Sequence, residues 1–201
     1  MPTRRARNSP GSSLTRELRI IGGRWRGTKL RFPPVAAIRP TPDRVRETLF
    51  NWLAPVVAGS RCLDLFAGSG ALGLEALSRG ARETVFVEQD GEVTRYLRET
   101  LQRLDARESR VVTVDARRFL DQESGPFDIV FLDPPFGAGL LPGLCATLDA
   151  SHLAADAWIY MESEAEAGEP SMPPGWRLHR SKYAGKVGYH LARKQVRGVP
   201  A

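Results

Sequence analysis

Phe127-Asp-Ile-Val-Phe-Leu-Asp-Pro-Pro-Phe136 joins an apolar, β-branched run to a carboxylate, two prolines and an aromatic ring. Ile129-Val130-Phe131-Leu132 reads as a buried strand. Pro134 and Pro135 can neither continue a ladder nor enter a helix interior, so the chain leaves the sheet in a stiff turn. Asp133, the turn carbonyls and Phe136 are thereby held at the carboxyl end of a strand, where open α/β sheets bind ligands. Taken alone, the stretch is equally a strand followed by a proline turn. The segments around it decide.

Those segments alternate. Upstream, residues 61–65 read as a strand, 71–79 as a helix, 84–88 as a strand, and 91–104 as a helix with Val93, Leu97, Leu101 and Leu104 in register. Residues 110–114 and 116–122 add a strand and a short helix. Downstream come a helix over 138–149 and a strand over 157–161. Residues 176–182 and 187–193 then flank Tyr183-Ala-Gly-Lys186 as a closing hairpin. Repeated strand–helix units predict an α/β, doubly wound, Rossmann-like fold. Its seven-stranded sheet is mostly parallel and ends in an antiparallel hairpin. Before this body, Leu18–Ile21 and Arg24–Leu30 around Gly22-Gly23 predict a small N-terminal β-hairpin. Thr41 is placed to cap a helix over 43–53, with Pro42 at its first position and Asp43 favoured by the dipole. The expected organisation is a disordered basic tail over 1–17, a hairpin extension over 18–38 and one main domain over 39–197.

The 201 residues are 42% hydrophobic, enough for a real core. No apolar run approaches the roughly 18 residues of a membrane span, and the N-terminus lacks the apolar centre of a secretory signal. A cytoplasmic protein is expected. Cys62 and Cys145 stand apart from any metal-spaced cluster, so both read as core thiols and no metal is expected. His152, His179 and His190 are scattered and read as surface or packing residues. The net charge of +6 is unevenly spread: residues 1–31 carry +8, residues 177–201 carry +7 and the centre carries −9. Basic ends on an acidic body suit a nucleic-acid substrate. Arg19, Arg24, Trp25, Arg26 and Lys29 on the hairpin, with Lys182 and Lys186 on the closing turn, are the candidate RNA contacts. Trp25 is equally able to pack the hairpin onto the main domain.

The first strand runs into Asp64-Leu-Phe-Ala-Gly-Ser-Gly70-Ala-Leu-Gly73, which satisfies G-x-G-x-x-G, and Glu88 closes the second strand. A dinucleotide would set its pyrophosphate on the helix N-terminus, where Asp64 repels it. S-adenosylmethionine carries no phosphate, and its sulfonium and ammonium are drawn to that carboxylate. The loop Phe66, Ala67, Gly68 and Gly70 then lets the backbone approach the amino-acid part. Glu88 can accept both ribose hydroxyls. Asp115 can accept from the adenine amine, beside an Ala116 that leaves room for the ring. Asp64, Glu88, Asp115 and Asp133 thus recur at four strand ends, and methyl transfer ranks well ahead of hydride transfer.

Asp64–Gly70 together with Asp133–Phe136 resembles the amino-group methyltransferases. Arg19–Leu30 and Arg39-Pro-Thr-Pro-Asp-Arg-Val-Arg-Glu-Thr-Leu-Phe-Asn51 narrow the resemblance to the bacterial 16S ribosomal RNA guanine-N(2) methyltransferases that modify guanine 966. The likeness runs from about Leu18 to about Lys194 and includes Met161–Glu164 and Lys182–Lys186. It implies S-adenosylmethionine as methyl donor, a methyltransferase domain over 39–197, the small ribosomal subunit as partner, and Thr41 and Arg46 lining the donor site. Asp133 and the Pro134 carbonyl would hold the target amine, and Phe136 would stack on the base. A DNA adenine or cytosine amine, a protein glutamine amide and a vestigial assembly factor are the alternatives. A monomer is the simplest expectation.

Overall fold

The computed structural model of the chain describes residues 16–32, 41–123 and 125–195. Residues 1–15 of the expected tail, 33–40 after the hairpin and 196–197 of the expected domain lie outside them. β1 (Arg16–Arg19) and β2 (Lys29–Phe32) pair antiparallel as a separate two-stranded ribbon. Arg16 and Glu17, assigned to the tail on composition, are strand residues. The ribbon buries Leu18, Leu30 and Phe32 against the main body, so it is anchored by an ordinary alternating face.

The arms predicted over 18–21 and 24–30 are shifted outward, and Gly22-Gly23 is not the hairpin turn. Residues 20–28 form a wide loop. α1 spans Asp43–Leu53. β3 (Arg61–Asp64) leads into α2 (Ala71–Ser78). The wide loop lies against the C-terminal end of α2, where the Arg24 N–H donates to the Ser78 carbonyl at 2.7 Å and the Trp25 N–H to its hydroxyl at 3.0 Å. A Cβ on Gly23, already at φ +75°, would stand 1.8 Å from the Ser78 carbonyl oxygen. The glycine is therefore needed for docking rather than for strand reversal.

β4 (Glu83–Glu88), α3 (Gly91–Arg103), β5 (Ser109–Thr113), α4 (Ala116–Gln122), β6 (Phe127–Leu132), α5 (Leu141–Ser151) and β7 (Leu153–Glu164) continue the alternation. β8 (Trp176–Ala184) and β9 (Val187–Lys194) close it. The sheet order is β5-β4-β3-β6-β7-β9-β8. The first five strands are parallel, and β9 runs antiparallel to both of its neighbours. The predicted seven-stranded fold is thus present, with boundaries displaced by a few residues. β7 is the largest departure: it starts four residues early, because Leu153 pairs with Phe127 across an irregularity in β6.

Alternation along the strands builds two apolar layers. Leu63, Val85, Val87, Val130, Leu132, Ile159 and Met161 meet α4 and α5 on one face. On the other, Cys62, Ile129, Phe131 and Tyr160 meet α1 and α2, and Phe86 meets α2, α3 and the ribbon. Near-continuous apolar strands follow from covering both faces.

One buried ion pair ties the ribbon to this body. Glu75, fully buried on α2, accepts the N–H groups of Ile21 at 2.9 Å and Gly22 at 2.8 Å, and the Arg79 Nε at 2.8 Å. Arg46, equally buried on α1, stands 3.5 Å from Glu75 and donates to the carbonyls of Arg19 and Thr41 and to the Asp43 carboxylate. Glu75→Ala would orphan two loop amides and leave the guanidinium uncompensated. It should cost about 3–5 kcal/mol in urea unfolding, with faster hydrogen exchange at residues 20–28.

Candidate active site

The sheet reverses its winding between β3 and β6. At that switch point the carboxyl ends of two adjacent strands diverge and leave a crevice. Asp64 ends β3, and Asp133 follows Leu132 beyond β6, so the structure brings them to the two sides of the crevice. Glu88 ends β4, next outward, and Asp115 follows β5, outward again. The four carboxylates predicted at strand ends therefore stand along one edge, in sheet order. A fifth, Glu162, was not singled out from sequence. Leu132 pairs with Met161, which sets Glu162 beside Asp133 on the neighbouring strand. Its signal was present: Glu162 closes the apolar run Ala157-Trp-Ile-Tyr-Met161 as the others close theirs.

Burial dominates the electrostatics of the edge. The Asp64 carboxyl is enclosed, accepts among the described residues only the Gly73 N–H at 3.0 Å, and is pushed up to about 7, chiefly by burial and further by the Glu88 charge. Asp133 is held well above the ordinary carboxylate range by burial, then by the charges of Glu162 and Asp64. Glu162 is raised by burial, opposed by two hydroxyl donors: the Tyr160 hydroxyl at 2.7 Å and the Thr41 hydroxyl at 3.2 Å, both on Oε1. Crowded, desolvated carboxyls of this kind favour a cation among them.

The loop beyond β3 is shaped for close approach. Gly70, at φ +76°, turns the chain into α2, and a Cβ there would meet Leu97 Cδ1 at 2.6 Å. Ala67 is buried, with its N–H on the Val87 carbonyl, and Phe66 and Gly68 are half-buried at the crevice. Glu88 fixes the loop as well as facing out: Oε2 accepts the Gly68 N–H at 3.0 Å and Oε1 the Asp90 N–H at 2.9 Å. A carboxylate has about four lone-pair sites, so each oxygen keeps one for a ligand hydroxyl. Asp115 caps α4 through Oδ1, which takes the N–H groups of Arg117 and Arg118, while Ala116 is buried beneath it.

Thr41 is near the edge but does not cap α1. Pro42 occupies that position without a side-chain bond, and the Thr41 hydroxyl is spent on Glu162. Arg46 is fully buried and committed to Glu75, Asp43 and two carbonyls. Its contacts tie α1 to α2 and to the ribbon. Pro134 is buried, whereas Phe136 is 44% exposed and so is not a core residue. Among the described residues no group of His, Cys, Asp and Glu could hold a metal ion.

The basic residues divide into two sets. β8 runs parallel to β7 through β9, so Lys182, Tyr183 and Lys186 lie on the same edge as Asp133, and all three are exposed. Lys182 also stands over the Trp52 ring at 5.8 Å. The hairpin loop is placed elsewhere. α2 runs from the carboxyl edge back to the start of β4, and the loop docks on its far end. Arg24 bonds Glu108, immediately before β5, at 2.9 Å and covers the Trp25 ring at 4.2 Å. Arg24 and Trp25 therefore sit at the edge opposite the carboxylates, with Trp25 half-buried in packing, apart from Lys182 and Lys186. Arg19 and Arg26 are exposed, and Lys29 pairs with Glu17 at 3.3 Å. Of the histidines, His152 and His190 are buried and hydrogen-bonded, and His179 packs edge-on against Trp158.

Residues 18–193 match the family described as conserved hypothetical protein 95. Over 190 residues the chain is 52% identical to ribosomal RNA small subunit methyltransferase D of Escherichia coli, covering 94% of this chain and 96% of that protein. The Haemophilus influenzae protein of the same name is 44% identical over 181 residues, covering 87% and 93%. A solved Escherichia coli structure described as a methyltransferase superposes with a TM-score of 0.83 at 50% identity, covering 89% of this chain and 98% of that one.

Because the Asp64 carboxyl binds its proton more tightly in the folded than in the unfolded protein, its contribution to stability is present at low pH. That contribution is lost as pH rises from about 4, the unfolded value, through about 7. Asp64→Asn should flatten the urea stability profile in that window and gain on the order of a few kcal/mol above it.

Proposed function

The chain belongs to the ribosomal RNA small subunit methyltransferase D family, and from that premise we propose that it methylates the exocyclic 2-amino group of one guanine in 16S ribosomal RNA, using S-adenosylmethionine. The observation that carries this reading is the row of carboxylates along the carboxyl edge, with the Asp133-Pro134 turn at its centre. Asp115, Glu88 and Asp64 stand on the β5-β4-β3 side, and Lys182 and Lys186 on the β9-β8 side. Donor and polyanion would then take opposite halves of one edge, meeting at Asp133.

The residues fit the donor on their own chemistry. Asp64 is raised by burial and by the Glu88 charge, and Asp133 by burial and by the charges of Glu162 and Asp64; a cation between them relieves both effects. The Gly70 turn, closed by Leu97 and Leu74 on the side a Cβ would occupy, keeps the loop backbone between Asp64 and Glu88, which accept the Gly73 and Gly68 N–H groups. Asp64 would hold the ammonium, Glu88 the ribose hydroxyls and Asp115 the adenine amine. S-adenosylmethionine, when bound, supplies an electrophilic methyl group on a cationic sulfur.

The remaining work falls to the turn beyond β6. A guanine amine is a poor nucleophile because its lone pair is delocalised into the ring. The Asp133 carboxylate and the Pro134 carbonyl would each accept one amine hydrogen, which favours a pyramidal nitrogen with a localised pair. The double proline fixes both acceptors in advance, so little reorganisation is needed. Asp133 can take the proton that the methylated nitrogen sheds. Phe136 would receive the extruded base on its exposed face. The choice of guanine 966 and of the small subunit rests on the family.

Small ribosomal subunits lacking the modification, naked 16S RNA, DNA and protein extract, each incubated with labelled methyl donor, test the assignment. Label should enter 16S RNA at a guanine, and label only in DNA or protein would refute it. Asp133→Ala should lower kcat by at least about 100-fold, comparable to losing one oriented transition-state acceptor, while binding RNA normally. Lys182→Ala with Lys186→Ala should weaken RNA binding and reduce the slope of log K against log salt by about 1–2.

A further inference from the structure

We propose that Glu162 reads the ring N1–H of the target base and thereby selects guanine over adenine and cytosine. This rests on the reading of the site as a guanine amine methyltransferase and adds the group that makes it guanine-specific.

The Asp133-Pro134 turn by itself supplies acceptors for an amine, and all three amino bases carry one. What differs is the atom beside the amine. In guanine the 2-amino group is flanked by N1–H, a donor. In adenine the 6-amino group lies between two unprotonated positions, N1 and N7. In cytosine the 4-amino group lies beside N3, also an acceptor. A second acceptor next to Asp133 therefore gains a hydrogen bond from guanine alone and repels the other two.

Glu162 is placed and prepared for that task. The Leu132–Met161 register sets it alongside Asp133 on the adjacent strand, and the Asp133 proton affinity responds to its charge. Alternation puts both side chains on the α1 face, since Phe131 and Tyr160, two residues earlier, pack there. Only 5% of Glu162 is exposed. Its Oε1 is held by the hydroxyls of Tyr160 and Thr41, which fixes the carboxyl and works against the burial that raises its proton affinity. Among the described residues Oε2 has no hydrogen-bond donor, yet it is not among the sealed, unpartnered atoms. A nine-tenths buried carboxylate with one oxygen clamped and the other open beside the amine site is an acceptor awaiting a donor from the substrate. Leaving it unpaired is costly, which is how a hydrogen-bonding site rejects a ligand that lacks the donor.

The test uses 2-aminopurine, which keeps the 2-amino group and presents an unprotonated N1. It is placed at the target position of 16S RNA by ligation and reconstituted into small subunits. Wild-type protein should methylate guanine with a kcat/KM at least about 100-fold above 2-aminopurine. Glu162→Gln keeps the acceptor for Tyr160 and Thr41 and turns the open oxygen into an amide donor. It should lose roughly 100-fold on guanine, gain on 2-aminopurine and bring the two within about tenfold; any change in S-adenosylmethionine binding, read by calorimetry, acts on both bases alike and leaves that ratio untouched. Glu162→Asp, which keeps the charge but withdraws it by one methylene, should lose guanine activity without admitting 2-aminopurine, and it decides the matter should Glu162→Gln fail to fold. Equal wild-type rates on the two bases, or full guanine preference in both variants, would overturn the proposal. Absence of label in guanine-containing subunits would instead overturn the function on which it rests.

Discussion

Asp64, Asp133 and Glu162 stand at the ends of three neighbouring strands with little water around them. Burial raises the proton affinity of each, and Asp133 is raised further by the charges of the other two. An edge of this kind is costly to fold, because desolvated carboxyls do not stabilise a protein. The cost is offset where the protein has its largest apolar reserve: both faces of the parallel sheet are covered, and the strand residues leading up to the carboxyls, Cys62-Leu63, Ile129–Leu132 and Ile159–Met161, are buried. A cation bound there would release the free energy stored at the edge, which is the physical argument for the cationic methyl donor proposed above.

The same edge explains why the ribbon and α1 are held so firmly. Thr41, just before α1, supplies one of the two hydroxyls on Glu162. Arg46, one turn along α1, is clamped from below by Glu75 and from above by the Arg19 carbonyl. The hairpin, which looked from its composition like an RNA-gripping arm, is on this view first a brace. Its loop spends Arg24 on Glu108 and Trp25 on packing, at the edge remote from the crevice.

Much of the fold was legible because its signals are local. Strand–helix alternation, the apolar runs and the glycine loop need no knowledge of distant residues, and they gave the seven-stranded sheet and most element boundaries. The hairpin turn was misplaced because Gly22-Gly23 carries the same local signal whether it reverses a strand or lies against a helix end. Only the Ser78 carbonyl, 55 residues on from Gly23, distinguishes the two. Thr41 was misread as a helix cap for the same reason: its partner is Glu162, far along the chain.

Residue type and local spacing alone determined the chemistry available to this protein: carboxylates at strand ends, a rigid Asp-Pro-Pro acceptor turn, a glycine cradle and basic termini. The tertiary structure decided which of these meet. Strand order, set by right-handed crossovers and by the reversal between β3 and β6, lines up Asp115, Glu88, Asp64, Asp133 and Glu162 in a sequence the chain does not follow. It puts Lys182 and Lys186 on that edge and leaves Arg24 and Trp25 on the other. Glu162 gains a role only because a parallel register sets it beside Asp133, and register between strands some 30 residues apart is fixed by packing on both faces rather than by any local pattern.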